Sequence, residues 1–269
     1  VGCGDDIDRN TDMKIESKDG TVIAFDQIGE GSPIILVAGA SCDRAIDTPI
    51  AEALARSFTV LNYDRRGRGD SADTPPYSVA REVEDLHALL EAAGGSASVL
   101  GLSSGAVLAA EATASGLPID SLIMWEPPFS LDPDGPRRAT EYSGRLTELL
   151  SADRRDDALV HFMRQVGVPD EMIAGIRQSP YWQVGLNLAH TLAYDAAIMG
   201  DGTIPAGRLG RIGAPTLVLA GSESPEFLQQ AAVQTAAAIP RARVDVLQGQ
   251  DHNVAGDAIA PVVAAFVGR

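Results

Sequence analysis

The stretch Ser98-Val99-Leu100-Gly101-Leu102-Ser103-Ser104-Gly105-Ala106 restricts the possible folds more than any other part of the chain. An apolar run of β type feeds a Gly-x-Ser-x-Gly, and an alanine-rich helical run (107–113) follows at once. The order is strand, sharp turn, helix, with Ser103 on the turn. In so tight a turn a side chain at 101 or 105 would collide with the neighbouring strand or helix, which accounts for both glycines. Such a turn exposes the Ser103 hydroxyl and sets it near a helix N-terminus, where backbone N–H groups favour negative charge. The pentapeptide alone is also an ordinary Gly/Ser turn. Its weight comes from the strand before it, the helix after it, and a histidine near the C-terminus.

The rest of the chain repeats this alternation. Apolar, β-branched runs predict strands over 13–17, 22–27, 33–37, 59–63, 98–102, 121–125, 216–220 and 243–247. Lys18-Asp19-Gly20 between the first two is a hairpin signal. The later runs, such as Ile34-Ile35-Leu36-Val37 and Leu217-Val218-Leu219-Ala220, are continuously apolar, as in strands covered on both faces by crossover helices. Helical patterns fit 48–55, 79–93, 106–115, 226–238 and 257–267. Together these predict a mostly parallel α/β sheet with an antiparallel start.

The alternation stops after Pro127-Pro128. From 129 to 209 the chain has helical periodicity (138–150, 156–166, 170–178, 182–199) and no good strand. A helical insertion between two sheet strands reads as a cap over the strand ends. The expected layout is a core over 1–128, a helical cap over 129–209 and the remainder of the core over 210–269. Ten apolar residues in or beside the insertion, among them Phe129, Met172, Tyr181 and Leu188, read mostly as the cap's own core.

Bulk properties narrow the function. The 269 residues carry a formal net charge of −16 and a pI near 4.5, a surface that repels phosphate backbones and anionic membranes. Two cysteines, Cys3 and Cys42, make neither a disulfide framework nor a metal cluster. The four histidines (His87, His161, His190, His252) lack zinc-site spacing. No run approaches the roughly 18 apolar residues of a membrane span. The first twelve residues lack the apolar core of a signal peptide. The expectation is a cytoplasmic protein, with export left open because the sequence starts at Val1. The apolar side chains of the insertion make a small to medium, partly apolar molecule the expected partner.

A serine hydroxyl needs a base, a group to orient that base, and N–H donors for the oxyanion. The expected base is His252, in the polar segment Gln248-Gly249-Gln250-Asp251-His252-Asn253 after the last predicted strand. His87, within a helical pattern, reads as surface or core edge; His161 and His190 fall in the insertion. Two carboxylates follow sheet strands and could orient the ring. Glu126 ends an apolar strand and is fixed by two prolines, while Glu223 sits among small polar residues. Glu126 is favoured, with Glu223 as the alternative. The expected oxyanion donors are the N–H of Ser104 and that of Ala40, in the turn Val37-Ala38-Gly39-Ala40-Ser41.

In this order, the Gly turn after the third strand, the segment Tyr63-Asp64-Arg65-Arg66-Gly67-Arg68-Gly69-Asp70-Ser71 after the fourth, the elbow at Ser103 and the late His252 resemble the α/β-hydrolase superfamily. The segment 64–71 is similar to the branch with a cap after strand six. The resemblance implies an eight-stranded sheet, a Ser–acid–His arrangement and no cofactor. A serine at the elbow sets the chain apart from the epoxide hydrolase and haloalkane dehalogenase branches. Ala38-Gly39 stands where the family commonly has His-Gly, and Ser224 where its acid commonly follows Gly221 by three positions. A variant of the architecture carries the acid after strand six, where Glu126 stands.

These readings predict a serine hydrolase acting on a carboxylic ester, thioester or lactone. Two alternatives keep the fold: elimination, cyclisation or C–C cleavage with His252 as base, and a non-catalytic ligand-binding protein.

Overall fold

The computed structural model describes residues 9–268, so Cys3 lies outside the described residues. Eight strands form one sheet: β1 (Arg9–Glu16), β2 (Val22–Ile28), β3 (Ser32–Val37), β4 (Phe58–Tyr63), β5 (Ala97–Leu102), β6 (Ile119–Trp125), β7 (Thr216–Gly221) and β8 (Ala242–Leu247). Their order across the sheet is β1-β2-β4-β3-β5-β6-β7-β8. The β1–β2 and β2–β4 pairs are antiparallel, and every other neighbouring pair is parallel. All eight expected strands are present. β1 starts earlier than its apolar pattern, because backbone pairing with Gln27 and Ile28 carries it through polar residues. Gly20 closes the first hairpin at φ 85°, a conformation that favours glycine.

Five helices flank the sheet. They are α1 (Thr48–Leu54), α2 (Val79–Ala92) and α3 (Ser104–Ala114) before the insertion, with Glu226–Ala237 and Gly256–Val267 after it. Strand side chains alternate between two cores. Ile35, Val37 and Val99 pack with Leu86 and Leu89 of α2 and the alanines of α3. Ile34, Leu36 and Leu100 pack with Ile50 and Leu54 of α1 and with Ile259 and Val263. β5 is buried at every position, because it lies mid-sheet with a helical layer on each face.

Between β6 and β7 the chain is helical: α4 (Gly135–Ser151), α5 (Arg155–Gln165), α6 (Asp170–Ile176), α7 (Tyr181–Leu188), α8 (Leu192–Met199) and α9 (Ala206–Leu209). The helices after β7 are accordingly α10 (Glu226–Ala237) and α11 (Gly256–Val267). One expectation fails here. The periodicity over 182–199 predicts a single helix, yet a 3-10 turn at Ala189–Thr191 separates α7 from α8. The Thr191 hydroxyl donates to the Leu188 carbonyl at 2.8 Å, which supports the tighter turn. A second expectation fails in part. Phe129 and Leu188 are buried, but Met172 and Tyr181 are 57% and 71% exposed and belong to no core. The segment's own core is small, built on Leu146, Leu149, Ala158 and Leu192, so short helices with few apolar positions cannot cover every large side chain.

Among the described residues no helix is long and apolar enough to cross a membrane.

Candidate active site

The parallel strands β3, β5, β6, β7 and β8 all end at the same edge of the sheet. Each of the sequence-predicted site residues lies just beyond one of those ends.

Ser103 follows β5 at φ 53°, ψ −121°, a conformation that L-residues rarely adopt. The glycines around it permit this geometry. A Cβ on Gly101 would fall 2.5 Å from Ala106 Cα and the Gly105 carbonyl oxygen. A Cβ on Gly105 would fall 2.3 Å and 2.5 Å from the carbonyl oxygens of Val37 and Ala38. Strand β5, the start of α3 and the turn after β3 are therefore in direct backbone contact, and Ser103 projects from that junction. The turn after β3 passes close by, since a Cβ on Gly39 would lie 3.3 Å from Ser103 Cβ.

Glu126 follows β6 and is fully buried, also at positive φ (44°). Its amide donates to the Leu219 carbonyl at 2.9 Å, and its Oε1 accepts the Gly221 amide at 2.7 Å. Its Oε2 accepts the Nδ1–H of His252 at 2.6 Å. Burial by itself pushes this carboxyl up. The His252 ring, the Gly221 amide and the nearby Ser224 hydroxyl outweigh it and hold Glu126 below the usual carboxylate range. An ionised carboxylate only accepts, so His252 carries its proton on Nδ1 and keeps the Nε2 lone pair free in the neutral ring.

His252 lies on the loop after β8, with its side chain 40% exposed. The loops after β7 and β8 are tied together by three bonds. Ser222 N–H donates to the Leu247 carbonyl at 3.0 Å, Glu223 N–H to the Gln250 carbonyl at 2.9 Å, and Gly249 N–H to the Ser222 hydroxyl at 2.9 Å. Trp125 joins the two halves of the site. Its carbonyl accepts the Ser103 amide at 2.9 Å, and its indole N–H donates to the His252 carbonyl at 3.0 Å.

The structure thus bonds one of the two candidate acids to the histidine. Glu223 is exposed, and only its backbone N–H takes part in the loop pairing. Ser224 is buried, at the position where the resemblance implies an acid, leaving that space to the Glu126 carboxylate. The other histidines stand apart. His87 is exposed on α2, His161 stacks on Tyr142 at 5.0 Å, and His190 sits 3.7 Å from Asp73.

Sequence reasoning missed a cluster of buried charges behind the turn after β3. Arg65, Arg66 and Arg68 are all buried. Arg66 makes a bidentate pair with Asp85, both bonds 2.7 Å. Arg65 pairs in the same way with Glu82, both bonds 2.7 Å, and also donates to Asp195 Oδ1 at 2.8 Å. Arg68 donates to Asp195 Oδ2 at 2.8 Å and to the Gly39 carbonyl at 2.5 Å. The Ser104 hydroxyl donates to Asp195 Oδ1 at 2.8 Å. A sequence signal existed: Asp195 is the single charge in the otherwise apolar helix Leu-Ala-Tyr-Asp-Ala-Ala-Ile-Met. Beside this cluster, burial foremost and then Asp47 push the Cys42 thiol up to about 12, so it stays neutral and is no nucleophile.

No group of three or more His, Cys, Asp or Glu among the described residues could hold a metal ion.

Comparison with known proteins agrees with this architecture. A family model described as "Alpha/beta hydrolase family" matches residues 34–265. The crystal structure of an alpha/beta hydrolase from Sphaerobacter thermophilus superposes with a TM-score of 0.86 at 49% identity, covering 94% of this chain and 99% of that one. A hydrolase from Pseudomonas aeruginosa gives a TM-score of 0.76 at 25% identity, covering 99% and 100%. Polyketide synthase ThaQ of Burkholderia thailandensis is 28% identical over 260 residues, which is 89% of this chain but 12% of the length of that relative.

Proposed function

This chain belongs to the alpha/beta hydrolase family, and from that premise we propose that it is a cofactor-independent serine hydrolase cleaving a carboxylic ester, thioester or lactone. The observation that carries the reading is the buried Glu126 carboxylate bonded to His252, with Trp125 tying the backbones of His252 and Ser103 to each other. That arrangement supplies a ring with a fixed tautomer on the same sheet edge that carries Ser103 on its strained turn.

In the proposed reaction, His252 Nε2 takes the Ser103 proton as Oγ attacks the substrate carbonyl carbon. The carbonyl π electrons move to oxygen, and the oxyanion accepts the N–H groups of Ala40 and Ser104. The α3 N-terminus adds its dipole. On collapse the C–O or C–S bond to the leaving group breaks, and the imidazolium gives its proton to the departing alcohol, thiol or lactone oxygen. Water then attacks the acyl-enzyme with His252 again as base, releasing the acid and restoring Ser103. The Glu126 carboxylate stabilises the imidazolium in both steps and stays ionised.

The helices α4 to α9 leave the sheet at the edge that carries Ser103 and act as a cap, on this reading. They admit a small to medium, partly apolar substrate.

A fluorophosphonate probe and p-nitrophenyl butyrate test the reading. The wild-type protein labels and turns over, and Ser103→Ala does neither. Labelling or turnover retained in Ser103→Ala overturns the assignment, and turnover without labelling points instead to His252 activating water directly as a general base, with no acyl-enzyme.

A further inference from the structure

We propose that Asp195, on α8, is the positioning residue for the two oxyanion-binding amides, those of Ala40 and Ser104. The inference rests on the serine hydrolase reading and adds a role for a residue outside the Ser103–His252–Glu126 group.

The argument begins with peptide geometry. In a trans peptide the C=O of one residue and the N–H of the next lie in one plane and point in opposite directions. The Gly39 carbonyl and the Ala40 N–H share such a plane. Arg68 Nη1 holds the Gly39 oxygen at 2.5 Å and the Cys42 oxygen at 3.1 Å, so it grips the turn on both sides of Ala40. Pulling the Gly39 oxygen towards Arg68 turns the Ala40 N–H the other way. Arg65 makes a further bond to the Ala38 oxygen at 3.3 Å. Both guanidiniums are buried, and both are set in place by Asp195, one on each carboxylate oxygen.

The second donor is pinned by the same carboxylate. Ser104 is the first residue of α3 and supplies the other N–H; its hydroxyl bonds Asp195 Oδ1 at 2.8 Å. One side chain from the inserted helices therefore reaches both halves of the oxyanion site, through Arg68 to Ala40 and directly to Ser104. Burial alone would push the Asp195 carboxyl up, but Arg68 and Arg65 outweigh it and hold it below the usual carboxylate range, so the bridge is ionic.

Stability is a weak reason for such a cluster, since buried ion pairs are often replaceable by apolar side chains at no loss. The targets of this one are backbone carbonyls of the turn and the residue after the nucleophile. A position fixed by fewer bonds would let the donors drift, and displacement of a reacting geometry by about 1 Å costs on the order of 100-fold in rate.

The test uses Asp195→Asn and Ser104→Ala with p-nitrophenyl butyrate. Asn keeps the shape but replaces one accepting oxygen by a donor facing a guanidinium. The expected result is a fall in kcat on the order of 10- to 100-fold, with KM changed by less than about 3-fold. The fluorophosphonate labelling rate should fall by a similar factor, because the phosphonyl oxygen occupies the same donors. The midpoint of the pH–rate profile should not move, since the Glu126–His252 pair is untouched. Ser104→Ala should lower kcat by about 3- to 10-fold at unchanged KM, and it carries the test alone should Asp195→Asn not fold. Wild-type kcat in folded Asp195→Asn, or in Ser104→Ala when that variant stands alone, overturns the inference, as does a loss confined to KM. Full activity in Ser103→Ala, by contrast, removes the serine acyl-enzyme reading on which it rests.

Discussion

Glu126 and His252, 126 positions apart in the chain, meet at 2.6 Å across the ends of β6 and β8. Strand β7 lies between them and contributes the Gly221 amide to the same carboxylate. The pair predicts that Glu126→Gln lowers kcat for p-nitrophenyl butyrate by about 100- to 10,000-fold, because a neutral amide can donate to Nδ1 and select the wrong tautomer. Glu223→Ala, whose side chain makes no bond at the site, should stay within about 2-fold of wild type. The reverse ranking of the two variants would move the acid to Glu223.

The Gly39 turn and the Gly105 turn should respond differently to alanine. A Cβ on Gly39 meets Leu102 O at 3.2 Å and Ser103 Cβ at 3.3 Å, so small shifts relieve the contact. Gly39→Ala should fold yet lose turnover, since the shift moves the Ala40 amide relative to Ser103. A Cβ on Gly105 meets backbone oxygens at 2.3 Å and 2.5 Å, and a central strand end cannot give way. Urea denaturation should show Gly105→Ala destabilised by roughly 3 kcal/mol or more.

Asp47 makes stability fall as pH rises. It is buried, its Oδ2 has no hydrogen-bond partner, and burial pushes its carboxyl up to about 7 against the attraction of Arg68. The unfolded chain releases this proton near pH 4, at about 3.9. Between about pH 4 and 7 the folded form therefore binds more protons, and stability declines across that interval. Asp47→Asn should remove this decline and raise stability at pH 8 by roughly 2 kcal/mol. Urea titrations at pH 5 and pH 8 test it; an equal effect at both pH values would refute the account.

Glu126 and Asp195 act with the opposite sign. Both carboxyls lie below their ordinary values in the folded protein. Their contribution is fully present above the unfolded carboxylate value, about 4, and is lost as pH falls through the lower folded values. Thermal unfolding from pH 5 down to pH 2 should show a steep loss of stability in wild type and a shallower one in Glu126→Gln. Parallel curves for the two proteins would exclude Glu126 as a source of the acid sensitivity.

Much of this protein is written locally. The eight strands, the flanking helices and the elbow at Ser103 follow from side-chain periodicity, from the Lys18-Asp19-Gly20 turn, and from glycines at 101 and 105 that leave room for backbone contact. Each of these depends on neighbours within a few residues, so the sequence by itself determined them. Tertiary structure alone decided which carboxylate binds His252, since Glu126 and Glu223 each follow a strand of the same edge. It also decided the Arg65–Arg68–Asp195–Ser104 cluster. These depend on which strand ends lie side by side and which helix packs over them, and no periodicity encodes contacts between residues so far apart. A charge such as Asp195 reads as an irregularity in its own helix, and acquires meaning only when folding brings two buried guanidiniums to it.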